Sequence, residues 1–98
     1  MAELVARAPG RYDLTGDLTF SAEPPRAVWS ARLNPSEGAV VLDLGGLQSV
    51  DSVALALLLE WERQARAGGF RLVVTAVPPR LKALIQVTGL GALFADAA

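Results

Sequence analysis

Two Val- and Leu-rich runs, Ala39 to Leu44 and Phe70 to Val77, flank an unbroken helix-forming stretch from Ser52 to about Ala67. This β-α-β alternation constrains the fold more than any other feature, because two parallel strands need a crossover of a dozen or more residues and the helix supplies one. The first run is apolar apart from Asp43, the pattern of a strand covered on both faces. Gly45-Gly46 reads as its end, with a loop from there to Asp51-Ser52. Gly68-Gly69 stops the helix. After the second run, Pro78-Pro79 forces an extended residue and opens another helix, with Leu81, Leu84, Ile85 and Thr88 on one stripe. Gly89 suits the left-handed position beyond that helix, and Leu90 its hydrophobic contact. A short terminal helix is expected around Leu93-Phe94.

The opening residues read as a hairpin. Glu3 to Ala8 and Arg11 to Thr15 are strands, Pro9-Gly10 is the turn, and Tyr12 and Leu14 share a face. Gly16 is expected to end the second strand; Asp13 and Asp17, on either side of the Leu14 to Gly16 segment, read as loop residues by their type. Pro24 and Pro25 suit the start of a helix. Val28, Trp29 and Leu33 would form its buried side, and Asn34-Pro35 would close it. The order β-β-α-β-α-β-α-α predicts an α/β fold: one domain over residues 1–98, with a mixed four-stranded sheet and about four helices.

Several function classes are excluded by what the 98 residues lack. There is no cysteine and no histidine, so thiolate chemistry, the commonest general base and the commonest metal ligand are all absent. Nine Lys and Arg against ten Asp and Glu leave a formal charge of −1, with no basic surplus to draw nucleic acid or an anionic membrane. The longest apolar run, Val53 to Leu59, is far below the roughly 20 residues of a membrane span. Met1 to Gly10 holds no signal-peptide core. A cytoplasmic location without direct membrane insertion is therefore expected. Apolar residues make up 52% of the chain and charged residues 19%, and mean hydropathy is +0.37. That balance fits a surface covered by another protein, or an Ala- and Leu-rich core.

No catalytic constellation is present, so the chain reads as non-enzymatic and free of cofactors. The segment Gly45 to Ser52 is the central candidate, since sites in open α/β sheets gather at strand ends. Asp51 and Ser52 lie where side-chain oxygens cap free N–H groups and where a phosphate would meet the positive helix end. Plain capping explains the same pair. Gly45-Gly46 lacks the spacing of a phosphate-binding loop and reads as a turn. Asp43 reads as a structural carboxylate paired with an arginine. Arg63, Arg66, Arg80 and Lys82 read as solvated helix faces, with Glu62 and Arg66 at the favourable i,i+4 spacing. Trp61 has the spacing of a core residue. Trp29, between Ala27 and Ala31, reads either as core or as an exposed interaction residue.

The stretches VVLDLGGLQSVDS, ALALLLEWERQARAGG and FRLVVTAVPPRLKALIQVTGLGALF, from Val40 to Phe94, resemble a STAS domain. Upstream, YDLTGDLTF is similar to the second strand of that family and its Gly-acid-Leu turn at Gly16, Asp17 and Leu18. Two branches are similar. In the anti-sigma-factor antagonists, the serine after the aspartate is phosphorylated by a partner kinase, and Ser52 matches it. There the usual Asp-Ser-Ser-Gly is replaced here by Asp51-Ser52-Val53-Ala54, a stiffer and more apolar helix start. The small stand-alone STAS subunit of the Mla-type phospholipid ABC transporter (MlaB-like) is closer, through its length, the helix LALLLEW and the tryptophan of the first helix.

The second resemblance implies a bacterial, non-enzymatic subunit, cytoplasmic and peripheral to the inner membrane. It would bind the transporter's ATPase, which works with a permease, and serve outer-membrane lipid asymmetry. Asp51 would cap the helix, Ser52 and Val53 would meet the partner, and Trp29 with Ala56 would extend the patch. The alternative is an antagonist that binds an anti-sigma-factor kinase and is switched at Ser52. A small-molecule sensor built on the Gly45 to Ser52 segment is a third class.

Overall fold

The structure, a computed structural model, describes residues 1–21 and 26–89. Its elements run β1 (Glu3–Ala8), β2 (Arg11–Leu18), α1 (Arg26–Trp29), β3 (Ala39–Val50), α2 (Ser52–Gly68), β4 (Arg71–Thr75) and α3 (Pro79–Val87). The strands form one sheet in the order β1-β2-β3-β4. β1 and β2 pair antiparallel as the hairpin, while β2, β3 and β4 are parallel. The mixed four-stranded sheet and its α/β class are as the sequence predicts, with three helices among the described residues. The expectations for Pro24, Pro25, Leu90 and the terminal helix at Leu93-Phe94 lie outside those residues.

Buried side chains alternate along the strands: Tyr12, Leu14 and Leu18 on β2, Val40, Leu42 and Leu44 on β3, Leu72 and Val74 on β4. They form one core with Val28, Leu57, Leu58, Trp61, Leu81 and Ile85 of the helices. Burying a side chain of this size stabilises the fold by about 1.5–3 kcal/mol relative to exposure. A sequential strand order joined by crossovers of one hand puts both crossover helices on the same side of the sheet. Hence the expectation that β3 is covered on both faces is corrected. Its other face carries half-buried Val41 and exposed Asp43 beside Asp13, Val73 and Thr75 of the neighbouring strands.

Two strands run further than their glycines suggest. Gly16 does not end β2, and Gly45-Gly46 does not end β3. Parallel pairing continues past both, through Thr15–Gly46, Gly16–Leu47, Asp17–Ser49 and Leu18–Val50, with irregularities that absorb the extra residues. Backbone pairing to a neighbour outweighs the weak strand preference of glycine. Gly16 is required there for another reason: its φ is +92°, and a Cβ would collide with the Met1 carbonyl folded over it. Asp13 and Asp17 are accordingly strand residues, and Asp13 accepts Arg7 Nε at 2.7 Å. No phosphate-cradling loop exists between Gly45 and Val50.

Among the described residues α1 has a single turn, and the chain from Ser30 to Asn34 is irregular. Leu33 is still buried, held from outside the helix: its N–H donates to Gln64 Oε1 at 2.8 Å, and Gln64 Nε2 donates to the Ala31 carbonyl at 3.2 Å. The Tyr12 hydroxyl accepts the Asn34 N–H at 2.9 Å. α2 ends at Gly69, whose φ of +72° lets its N–H reach the Ala65 and Arg66 carbonyls. α3 buries Leu81 and Ile85 and half-buries Leu84, while Thr88 is exposed and bonds back to the Leu84 carbonyl. Gly89 has φ +73°, as its place after α3 predicts.

Candidate functional site: an apolar cleft at the start of α2

Asp51 organises this end of the molecule. Its backbone is extended, and Oδ1 accepts the Val53 N–H at 2.9 Å, the N-cap bond that the Asp-Ser pair predicts. Oδ2 accepts the Phe20 N–H at 3.0 Å, and the Asp51 N–H donates to the Leu18 carbonyl at 3.1 Å. One side chain therefore clips the segment after β2 onto the first turn of α2. Both carboxylate oxygens are committed inside the chain, so Asp51 positions its neighbours.

What it positions is a cleft of about 400 Å³ lined by Phe20, Trp29, Ser52, Val53 and Ala56. Four of the five residues singled out in the sequence thus share one depression, with Asp51 immediately behind it. The apolar run from Val53 to Leu59 resolves here. Val53, Ala54, Leu55, Leu57 and Leu58 are buried, whereas Ser52 and Ala56 are exposed. Trp29 is half-buried and leans on the core, while Trp61 is fully buried. Among the described residues the lining carries no charged side chain; its polar groups there are the Ser52 hydroxyl and the Trp29 indole. Such a surface accepts an apolar side chain from a partner and disfavours an uncompensated charge.

Phe20 went unnoticed in the sequence although it is 75% exposed. The signal was the alternation Tyr12, Leu14, Leu18, Phe20, which carries an aromatic ring just past the end of β2. Arg80, read as a solvated helix face, is exposed and in addition donates its Nε–H to the Val50 carbonyl at 2.9 Å, which ties α3 to the strand end that precedes Asp51. Asp43 makes no ion pair among the described residues; its Oδ1 accepts the Gly45 N–H at 2.7 Å.

Beyond Trp29, a second depression of about 330 Å³ is lined by Trp29, Ser30, Arg32, Glu60, Arg63, Gln64 and Ala67. The Arg63 guanidinium donates to Glu60, with Nε at 3.0 Å, and this hydrogen bond holds the Glu60 carboxyl below the usual carboxylate range. The same bond raises Arg63. Arg66 and Glu62 make the predicted i,i+4 pair at 3.5 Å. No group of three or more His, Cys, Asp or Glu among the described residues is arranged to hold a metal, and no described helix is long and apolar enough to cross a membrane.

Comparison with known proteins identifies the fold and the family. Residues 4–95 match the family model described as "Mlab, STAS domain". A solved structure of the anti-sigma factor antagonist SpoIIAA in its unphosphorylated form is similar over 100% of this chain and 89% of that one, with a TM-score of 0.63 and 19% identity, a likeness of fold. A comparison with curated proteins finds no match. The mixed sheet, its helices and the matched span together show that the chain belongs to the STAS domain family described by the MlaB model.

Proposed function

We propose that this chain is a single non-catalytic domain whose apolar cleft seats it on the ATPase subunit of an ABC transporter, with a permease, at the cytoplasmic face of the inner membrane. The process served would be phospholipid movement that maintains outer-membrane lipid asymmetry. One observation carries the reading: among the described residues, Phe20, Trp29, Val53 and Ala56 make an uncharged cleft around Ser52 at the start of α2. An apolar contact at that point suits a lasting subunit better than a switch that must accept a doubly charged phosphate. The match to the MlaB family model supports the same branch.

Binding of the purified ATPase to Ser52→Glu tests the proposal. Charge in an apolar contact is expected to weaken the complex at least tenfold, through the cost of desolvating a carboxylate without a partner. Unchanged affinity would remove Ser52 from the interface.

The second reading is an anti-sigma-factor antagonist. It is favoured by Ser52 itself, exposed in the first turn of α2, where the helix end tolerates negative charge. It predicts a phosphate mass shift after incubation with an anti-sigma-factor kinase and ATP, abolished in Ser52→Ala.

A further inference from the structure

The apolar cleft and the polar depression share Trp29 as a common wall and follow a single stripe of α2. Ser52, Ala56, Glu60, Arg63 and Ala67 recur every three or four residues on its outward side. The stripe is about 22 Å long at 1.5 Å per residue, the length of a four-turn helix laid beside it. Its two halves differ in charge. Among the described residues nothing charged lines the Phe20 end. At the other end Glu60 is committed to Arg63, and the Arg66–Glu62 pair is likewise closed. Arg32 remains: it is exposed and makes no ion pair among the described residues. The groove thus has an apolar end and a singly positive end.

We infer that the partner lays an amphipathic helix in this groove, with an apolar side chain in the Phe20–Trp29–Val53 cleft and an acidic residue about two turns along, against Arg32. The spacing follows from α2, because Val53 precedes Glu60 by seven residues and Ala56 precedes Gln64 by eight, roughly 11 Å of helix axis. An apolar residue and an acidic residue at i and i+7 face one side of a helix and match that interval. Trp29 between them packs on the turn that joins the two. This inference rests on the cleft being the interface with the ATPase, and it adds which element of the partner enters and what charge that element carries.

The two ends act on different rates, and that separates the inference from the reading beneath it. A charge at the rim of an interface acts mainly on association, whereas residues in the buried pocket act on dissociation. Association and dissociation of the purified ATPase are measured for the wild type, Arg32→Glu, Arg32→Lys, Trp29→Ala and the remote control Arg71→Glu, between about 0.05 and 0.5 M salt. The expected result is a three- to tenfold slower association for Arg32→Glu with a flattened or reversed salt dependence (roughly what reversing one rim charge does to steering). Arg32→Lys should stay near wild type and Arg71→Glu should be unaffected, while Trp29→Ala speeds dissociation. Arg32→Glu with wild-type rates and salt slope, alongside a Trp29→Ala defect, would overturn the acidic helix and leave the interface standing. A wild type that does not bind the ATPase, or a Trp29→Ala variant with unchanged dissociation, would overturn both.

Discussion

Asp51→Ala removes a side chain that joins the segment after β2 to α2, and its cost can be worked from its three connections. The N-cap bond to Val53 is part-buried and is worth about 1 kcal/mol. The bond to the Phe20 N–H is exposed, so water replaces much of it and about 0.5 kcal/mol is lost. Loss of negative charge at the helix N-terminus adds about 0.5 kcal/mol. The Asp51 N–H bond to the Leu18 carbonyl survives, since it belongs to the backbone. The total is about 2 kcal/mol, or a fall in Tm on the order of 10 °C for a domain of this size. Asp51→Asn keeps an acceptor for Val53 and should lose about half as much. Urea and thermal unfolding followed by far-UV circular dichroism, on wild type and both variants, measure these values. A loss below about 0.5 kcal/mol for Asp51→Ala would refute the view that this carboxylate clips the two segments together. Equal losses for Ala and Asn would show that charge alone matters and the bonds do not.

Three further outcomes are expected. A Cβ on Gly46 would meet Thr15 Cγ2 at 2.6 Å, so Gly46→Ala should destabilise by about 1–3 kcal/mol, and adding Thr15→Ser should recover part of that; strict additivity of the two in urea unfolding would contradict the contact. Ser52→Glu should leave stability unchanged or raise it by up to about 1 kcal/mol, because the new charge sits at the N-terminus of α2; a lowered Tm would contradict its exposed position. Arg63 holds Glu60 below the ordinary carboxylate range, so any stability from that pair is present above the unfolded pKa and lost as pH falls through the lower folded value. Glu60→Gln should therefore differ from wild type at neutral pH and converge with it in acid, whereas a gap that persists in acid would contradict the pairing.

The parts of this fold that depend on local chemistry were legible in the sequence. The hairpin at Pro9-Gly10, the Asp51 cap, the Gly69 stop and the Leu81/Ile85 stripe are each set by neighbours within a few residues. What was not legible depends on residues far apart in the chain. Gly16 and Gly45-Gly46 look like strand ends until β2 and β3 are paired, when ladder bonds carry both strands past them. Leu33 has its backbone held by Gln64, more than thirty positions away, and without that partner it reads as the end of a long α1. Arg80 follows the same logic, since its bond to the Val50 carbonyl makes it a brace. For the candidate site, helical spacing and the family resemblance marked Ser52, Val53, Ala56 and Trp29, and only the tertiary structure put them around one cleft. Phe20 escaped because an exposed ring after a strand acquires meaning only when its neighbours are known.

The most direct test of the account is affinity purification of the tagged protein from detergent-solubilised membranes, with mass spectrometry of what is retained, run beside Trp29→Ala and Ser52→Glu. The account predicts an ABC transporter ATPase and its permease with the wild type, and their loss with both folded variants. A serine kinase of the anti-sigma type in their place, with phosphate on Ser52, would contradict it and make Ser52 a switch.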